Sequence, residues 1–166
     1  SGRYENATLT DLGISMTSAD DCVDCPEGAF CSTGAAEPTA CSPGTVQPAV
    51  QQPTCNKCEA GKFMNESGKL ECHECDAGSY CEAGASAPLP CAAGSFSSER
   101  GLGSIAQCSA CPAGSSCSTG SLSHTPCSPG TVQPDPGEAR CARCDAGEYQ
   151  GGEGQTACLT CSAGHY

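Results

Sequence analysis

Apolar residues in this chain are scattered, alone or in short groups, among polar and turn-forming residues. The segments NESGKLE at 65–71 and QPDPGEAR at 133–140 are rich in turn formers and show no 3.6-residue helical period over a useful length. The pattern therefore predicts short, irregular β-hairpins and turns with little helix.

The aromatic residues follow a recurring motif. Nine C-x-x-G motifs start at Cys25, Cys41, Cys58, Cys75, Cys91, Cys111, Cys127, Cys144 and Cys161. All seven aromatic residues lie two places after such a glycine or its equivalent: Tyr4, Phe30, Phe63, Tyr80, Phe96, Tyr149 and Tyr166. Val46, Ser116 and Val132 replace the aromatic in three modules. We expect a tight turn with glycine at positive φ, then a short strand whose first outward side chain covers the module's disulfide.

A longer repeat of 86 residues contains these modules. The cysteines at 22, 25, 31, 41, 55, 58, 72 and 75 recur at 108, 111, 117, 127, 141, 144, 158 and 161, and CSPGTVQP at 41–48 returns unchanged at 127–134. The spacing divides the chain into a partial module with a long loop (1–22), a first repeat (23–108) and a second, truncated repeat (109–166). Because both ends fall inside modules, we expect an excerpt of a longer array.

Composition predicts that cross-links replace much of a hydrophobic core. Only 37% of the 166 residues are hydrophobic and none is Trp, whereas 18 are cysteines. Closing a loop of about 15 residues removes roughly 3 kcal/mol of denatured-state entropy in the chain-entropy model. The fold class is therefore small disulfide-rich repeat modules without a single large core, stacked into an elongated rod. The bridges imply the secretory pathway and an extracellular or cell-surface location.

Charge and hydropathy exclude several partners. The net charge of −12 would repel phosphate backbones and anionic lipid, so nucleic acid is not expected as a partner. No stretch of 18 apolar residues predicts a membrane span in this segment.

Two pairing schemes fit the cysteine spacing, and both contain Cys58–Cys72 and Cys144–Cys158. The local scheme adds Cys25–Cys31, Cys41–Cys55, Cys75–Cys81, Cys91–Cys108, Cys111–Cys117 and Cys127–Cys141. The interleaved scheme instead adds Cys25–Cys41, Cys31–Cys55, Cys75–Cys91, Cys81–Cys108, Cys111–Cys127 and Cys117–Cys141. We favour the interleaved scheme because it avoids small rings. In both schemes Cys22 and Cys161 lack a partner, and we expect them to bond outside the segment.

Metal and catalytic alternatives are weaker. Cys55, Cys58, Cys72 and Cys75 have a spacing close to a four-cysteine zinc ribbon, but zinc would leave other cysteines unused, and we predict no metal. The acidic cluster Asp20, Asp21 and Asp24 lacks a calcium-loop spacing. His73, His124 and His165 are isolated, no serine-hydrolase motif is present, and we expect neither a cofactor nor an enzyme.

Two acceptor motifs for N-linked glycans stand at equivalent positions. Asn6-Ala7-Thr8 and Asn65-Glu66-Ser67 each begin two residues after the module aromatic. We expect glycans at Asn6 and Asn65.

The units C-x-x-G-x-[YF] followed by C-x-x-C resemble the ephrin-receptor-like cysteine-rich repeats, as in CEAGKFMNESGKLECHEC and CDAGEYQGGEGQTACLTC. The interleaved cysteine order is also similar to that of tumour-necrosis-factor-receptor modules. The resemblance implies an elongated, non-catalytic ectodomain of stacked modules. We expect a segment of an extracellular filament, coat or stalk that contacts like modules of the same or neighbouring chains. The alternative is a receptor or adhesin ectodomain with a protein ligand, for which the loop 5–21, with Leu9, Leu12, Ile14 and Met16, is the candidate site.

Overall fold

The computed structural model describes residues 2–6, 8, 11, 18, 21–162 and 164. These residues form nine two-stranded antiparallel hairpins, and every strand is two residues long. The hairpins are β1 (Arg3–Tyr4) with β2 (Val23–Asp24), β3 (Ala29–Phe30) with β4 (Thr39–Ala40), β5 (Thr45–Val46) with β6 (Asn56–Lys57), β7 (Lys62–Phe63) with β8 (His73–Glu74), β9 (Ser79–Tyr80) with β10 (Leu89–Pro90), β11 (Ser95–Phe96) with β12 (Ser109–Ala110), β13 (Ser115–Ser116) with β14 (Thr125–Pro126), β15 (Thr131–Val132) with β16 (Ala142–Arg143) and β17 (Glu148–Tyr149) with β18 (Leu159–Thr160). One short 3₁₀ helix, Ile105–Gln107, lies between β11 and β12. The predicted fold class of disulfide-rich hairpins with little helix and no large core is confirmed.

The C-x-x-G motif shapes the start of each hairpin. In the module that starts at Cys25, the amide of Ala29 donates to the carbonyl of Pro26 and Gly28 has a φ of +74°. This combination is that of a type II turn, whose third residue must accept positive φ. The carbonyl of Gly28 then accepts from the amide of Cys41, the first cysteine of the next module. The predicted glycine turn is confirmed.

The chain divides into two compact units. The first comprises Ser1–Glu74 and Cys81–Ala87, and the second comprises Cys75–Tyr80 and Pro88–Tyr166. The repeat limits at residues 22 and 108 stay a prediction from cysteine spacing.

The small cores lie between successive modules. Tyr4 packs on the cluster formed by Cys25, Ala29 and Cys31. Val46 of the module that starts at Cys41 packs on Cys58 and Met64 of the following module. The expectation that this side chain covers its own module's disulfide is therefore wrong for Val46, because the hairpin directs it toward the following bridge.

Glycines also form backbone joints with the next module but one. A Cβ atom built on the turn glycine would collide with the backbone carbonyl group of a residue 40 to 49 positions later, within one unit. The pairs are Gly2 with Gln51, Gly28 with Gly68, Gly44 with Gly84, Gly78 with Gly120, Gly94 with Gly137 and Gly114 with Gly154. Only a residue without a side chain permits this approach, so close backbone contacts at these glycines hold the modules together.

Candidate functional site

The structure has local disulfide pairing. The bridges are Cys25–Cys31, Cys41–Cys55, Cys58–Cys72, Cys91–Cys108, Cys111–Cys117, Cys127–Cys141 and Cys144–Cys158. Cys75 and Cys81 are also disulfide-bonded. The favoured interleaved scheme is therefore wrong. The turn and β3 reverse the chain between Cys25 and Cys31 and bring their Cα atoms to 5.8 Å, so the small ring closes readily.

Cys22 and Cys161 are the free thiols among the described residues, and both are half-buried. Each stands at a position whose equivalents in the 86-residue repeat, Cys108 and Cys75, are disulfide-bonded. Their bonds to cysteines outside the segment stay a prediction.

The zinc and calcium alternatives gain no support. Cys55, Cys58, Cys72 and Cys75, the four candidate zinc ligands, are all in disulfides. Within residues 21–162 and the few described earlier positions, no cluster of three metal-ligating side chains is found. In the acidic cluster, Asp20 lies outside the described residues, whereas the carboxylate of Asp24 pairs with Arg3 at 2.7 Å.

The histidines have structural neighbours rather than catalytic ones. The ring of His73 lies 5.9 Å from that of Phe63, its cross-strand partner in the β7–β8 hairpin. His124 lies 5.7 Å from Phe96, and its Nδ1 is 3.2 Å from the hydroxyl of Ser115. His165 lies outside the described residues.

Sequence reasoning missed a glutamine that closes the loops. The Nε2 of Gln133 donates to the carbonyl of Arg140 at 2.7 Å, while its Oε1 accepts from the amide of Asp135 at 3.2 Å. Gln47 and Gln150 make the same two hydrogen bonds. In each, Nε2 donates to the carbonyl seven residues later and Oε1 accepts from the amide two residues later. The signal was present, because CSPGTVQP repeats a glutamine that no turn or core required.

The first unit has a shallow cleft of about 480 Å³ beside the β7–β8 hairpin. It is lined by Val46, Lys57, Cys58, Glu59, Lys62, Glu71 and Cys72. Two ammonium groups and two carboxylates balance in charge, so the cleft has no net preference for an anion or a cation.

The two glycan acceptor motifs differ in surroundings. Asn65, Glu66 and Ser67 are all exposed, and Lys69 pairs with Glu66 at 2.8 Å. The hydrogen bond from Lys69, with its charge, lowers the pKa of Glu66 below its ordinary value. Asn6 is half-buried, and its Oδ1 accepts from the amide of Thr8 at 3.2 Å.

The predicted ligand loop at 5–21 lies largely outside the described residues, including Leu9, Leu12, Ile14 and Met16. The described residues contain no helix long and apolar enough to span a membrane.

Comparison with known proteins supports the resemblance. Residues 130–166 match the family described as tyrosine-protein kinase ephrin type A/B receptor-like. No curated protein matches the chain. Modules of the matched kind are non-catalytic parts of ectodomains, and a disulfide-rich module of this type implies an extracellular or cell-surface location. Residues 130–166 are therefore similar to the ephrin-receptor-like cysteine-rich family, and the earlier modules share their C-x-x-G turns, hairpins and disulfides.

Proposed function

We propose that the chain is a segment of an extracellular structural assembly, namely a filament, coat or stalk. The observation that carries the proposal is the backbone joint, which recurs in both units between modules with different side chains. A joint that depends on glycine and a carbonyl lets modules be added without a matched side-chain interface.

The covalent structure suits a load-bearing or protective role. The local bridges close loops of 6, 14 or 17 residues within single modules, as Cys25–Cys31, Cys41–Cys55 and Cys91–Cys108 do. Local closure restricts the unfolded state of each module separately. Damage to one module therefore leaves the cross-links of the others intact.

Contacts with like modules of neighbouring chains complete this proposal. Lateral contact would use exposed side chains that lie away from the joints, including those of Leu89 and Tyr149. The matched family description also supports a second candidate, a receptor or adhesin ectodomain that binds a protein ligand. In that case Leu89 and Leu122 of the second unit, 50% and 54% exposed, are candidate contacts in addition to the loop at 5–21.

Antibody labelling and electron microscopy of unreduced native material test the proposal. The structural role predicts label along extracellular filaments or a coat that stays insoluble in detergent and is released by a reductant. Label on a detergent-soluble, monomeric surface protein would contradict that role and favour the receptor candidate. A variant with Leu89→Ser and Leu122→Ser would then test ligand binding, with the exposed Leu159→Ser as the matched control.

A further inference from the structure

The loop between β7 and β8 exposes a complete glycan acceptor motif on a fixed base. Met64, directly after strand β7, is 1% exposed and packs with Val46 and Cys58. The next three residues, Asn65, Glu66 and Ser67, are all exposed. The chain thus turns from the core to solvent at the acceptor asparagine.

The second half of this loop is docked by backbone hydrogen bonds. The amide of Gly68 donates to the carbonyl of Cys41 at 2.9 Å, and the carbonyl of Lys69 accepts from the amide of Gln47 at 3.1 Å. The Cys58–Cys72 bridge closes the loop. Docking therefore uses residues 68 and 69, and the side-chain amide of Asn65 makes no hydrogen bond within the described part of the chain.

We propose that the Nδ2 atom of Asn65 carries an N-linked oligosaccharide. The co-reactant is a lipid pyrophosphate-linked oligosaccharide of the secretory pathway. A bond forms between Nδ2 and the anomeric carbon of the sugar, the bond from that carbon to the pyrophosphate oxygen breaks, the lipid pyrophosphate leaves, and the amide loses one proton. The proposal rests on the extracellular location in the proposed function.

The chain contains a matched loop without an acceptor. The residues equivalent to Asn65, Glu66 and Ser67 in the second repeat are Gly151, Gly152 and Glu153. Gly151 does not have a positive φ, and a Cβ atom built on it meets nothing within 4 Å. An asparagine at 151 therefore fits the same hairpin position without strain.

The experiment expresses the full chain with a cleavable secretion signal in eukaryotic cells. Trypsin cleaves after Lys62 and Lys69 and releases residues 63–69, whose mass is measured before and after enzymatic removal of N-linked glycans. The variants are Ser67→Ala, which removes the motif but keeps Asn65, and Gly151→Asn with Glu153→Thr, which builds the motif in the matched loop. Medium and cell lysate are both analysed because transfer occurs before secretion.

We expect a glycan on residues 63–69 of the wild type, its complete loss in Ser67→Ala, and a new glycan at position 151 in the grafted variant. An oxidised wild-type chain with unmodified Asn65 in both medium and lysate would overturn the inference. A glycosylated chain retained inside the cell would keep this inference and contradict the extracellular proposal. A secreted, oxidised chain without the glycan would contradict the glycan inference and keep the extracellular proposal.

Discussion

Left-handed backbone conformations recur along the chain, and glycine occupies all the described positions except one. Gln51 has a φ of +59°, whereas Gly137, its equivalent in the second repeat, has a φ of +81°. Side chains other than glycine lose roughly 1–2 kcal/mol in this conformation. The backbone of Gln51 is therefore strained, whereas glycine at the equivalent position 137 carries no such strain.

Replacing Gln51 with glycine should stabilise the folded protein by about 1 kcal/mol, because the strain of the Cβ atom exceeds the added entropy of the unfolded chain. Thermal unfolding of the oxidised protein measures the change. The reciprocal variant Gly137→Gln is the control and should destabilise, since nothing but φ opposes a side chain there. Equal stability of both variants and the wild type would contradict the assignment of strain.

The loop glutamines give a second prediction at this scale. Gln133→Ala should lower the free energy of unfolding by about 1–3 kcal/mol, because it leaves the carbonyl of Arg140 and the amide of Asp135 without their side-chain partner. Thermal unfolding again measures the change. Gln155→Ala is the control, since this exposed glutamine donates only to the carbonyl of Glu153, two residues away, and closes no loop. A loss with Gln155→Ala as large as that with Gln133→Ala would refute a specific role for the loop-closing hydrogen bonds.

At the scale of the element, each hairpin is a two-residue ladder that depends on its turn, its disulfide and its neighbours. A two-stranded sheet alone is marginal in water. The hairpins gain stability from contacts such as that of Val46 with Cys58 and Met64 of the following module. Glycine joints then add contact with the next module but one.

A pair of glycine variants isolates the contribution of the joint. Gly94 and Gly130 have φ of +87° and +81°, but a Cβ atom on Gly94 would lie 2.7 Å from the carbonyl carbon of Gly137, whereas one on Gly130 meets nothing within 4 Å. Both alanine variants should lose stability through φ, and Gly94→Ala should lose roughly 1–3 kcal/mol more through the collision. Chemical denaturation with the disulfides intact measures both. Equal losses would mean that the joint contributes nothing.

Much of the hairpin could be predicted from the sequence, and the joints could not. The glycine of the C-x-x-G motif at Gly28 predicts a positive φ, because few other residues suit the third position of that turn. The pairing of Cys25 with Cys31 was predicted wrongly because spacing does not reveal how tightly a turn closes. The contact of Gly28 with Gly68 joins backbone atoms 40 residues apart and has no side-chain signature. Of the site residues, both acceptor asparagines were visible as motifs, but their different exposure required the fold.

At the scale of the whole molecule, disulfides take the place of a large core. Eight bridges join cysteines of the described residues, and the largest fully buried side chains among those residues are Met64 and cysteines. Nineteen acidic residues against seven basic ones favour solubility and disfavour contact with anionic surfaces. Buried disulfides thus form the interior of the modules, which in most globular proteins consists of apolar side chains.

The number of free thiols follows from this cross-linking. Alkylation of the unreduced, denatured 166-residue chain should modify two cysteines, Cys22 and Cys161, because the other sixteen are bonded. Mass spectrometry after reduction and a second, different alkylating agent checks the count. The Cys22→Ser variant should carry one fewer first label. Four or more first labels would show that a bridge is missing.

The central claim is that the modules that start at Cys25, Cys41, Cys111 and Cys127 each close their own disulfide and exchange no bridge with a neighbouring module. Mass spectrometry of peptides from the unreduced protein tests it most directly. The account predicts Cys25 linked to Cys31 and Cys41 linked to Cys55, with the same pattern at Cys111–Cys117 and Cys127–Cys141. Peptides that link Cys25 to Cys41 and Cys31 to Cys55 would show interleaved modules and contradict it.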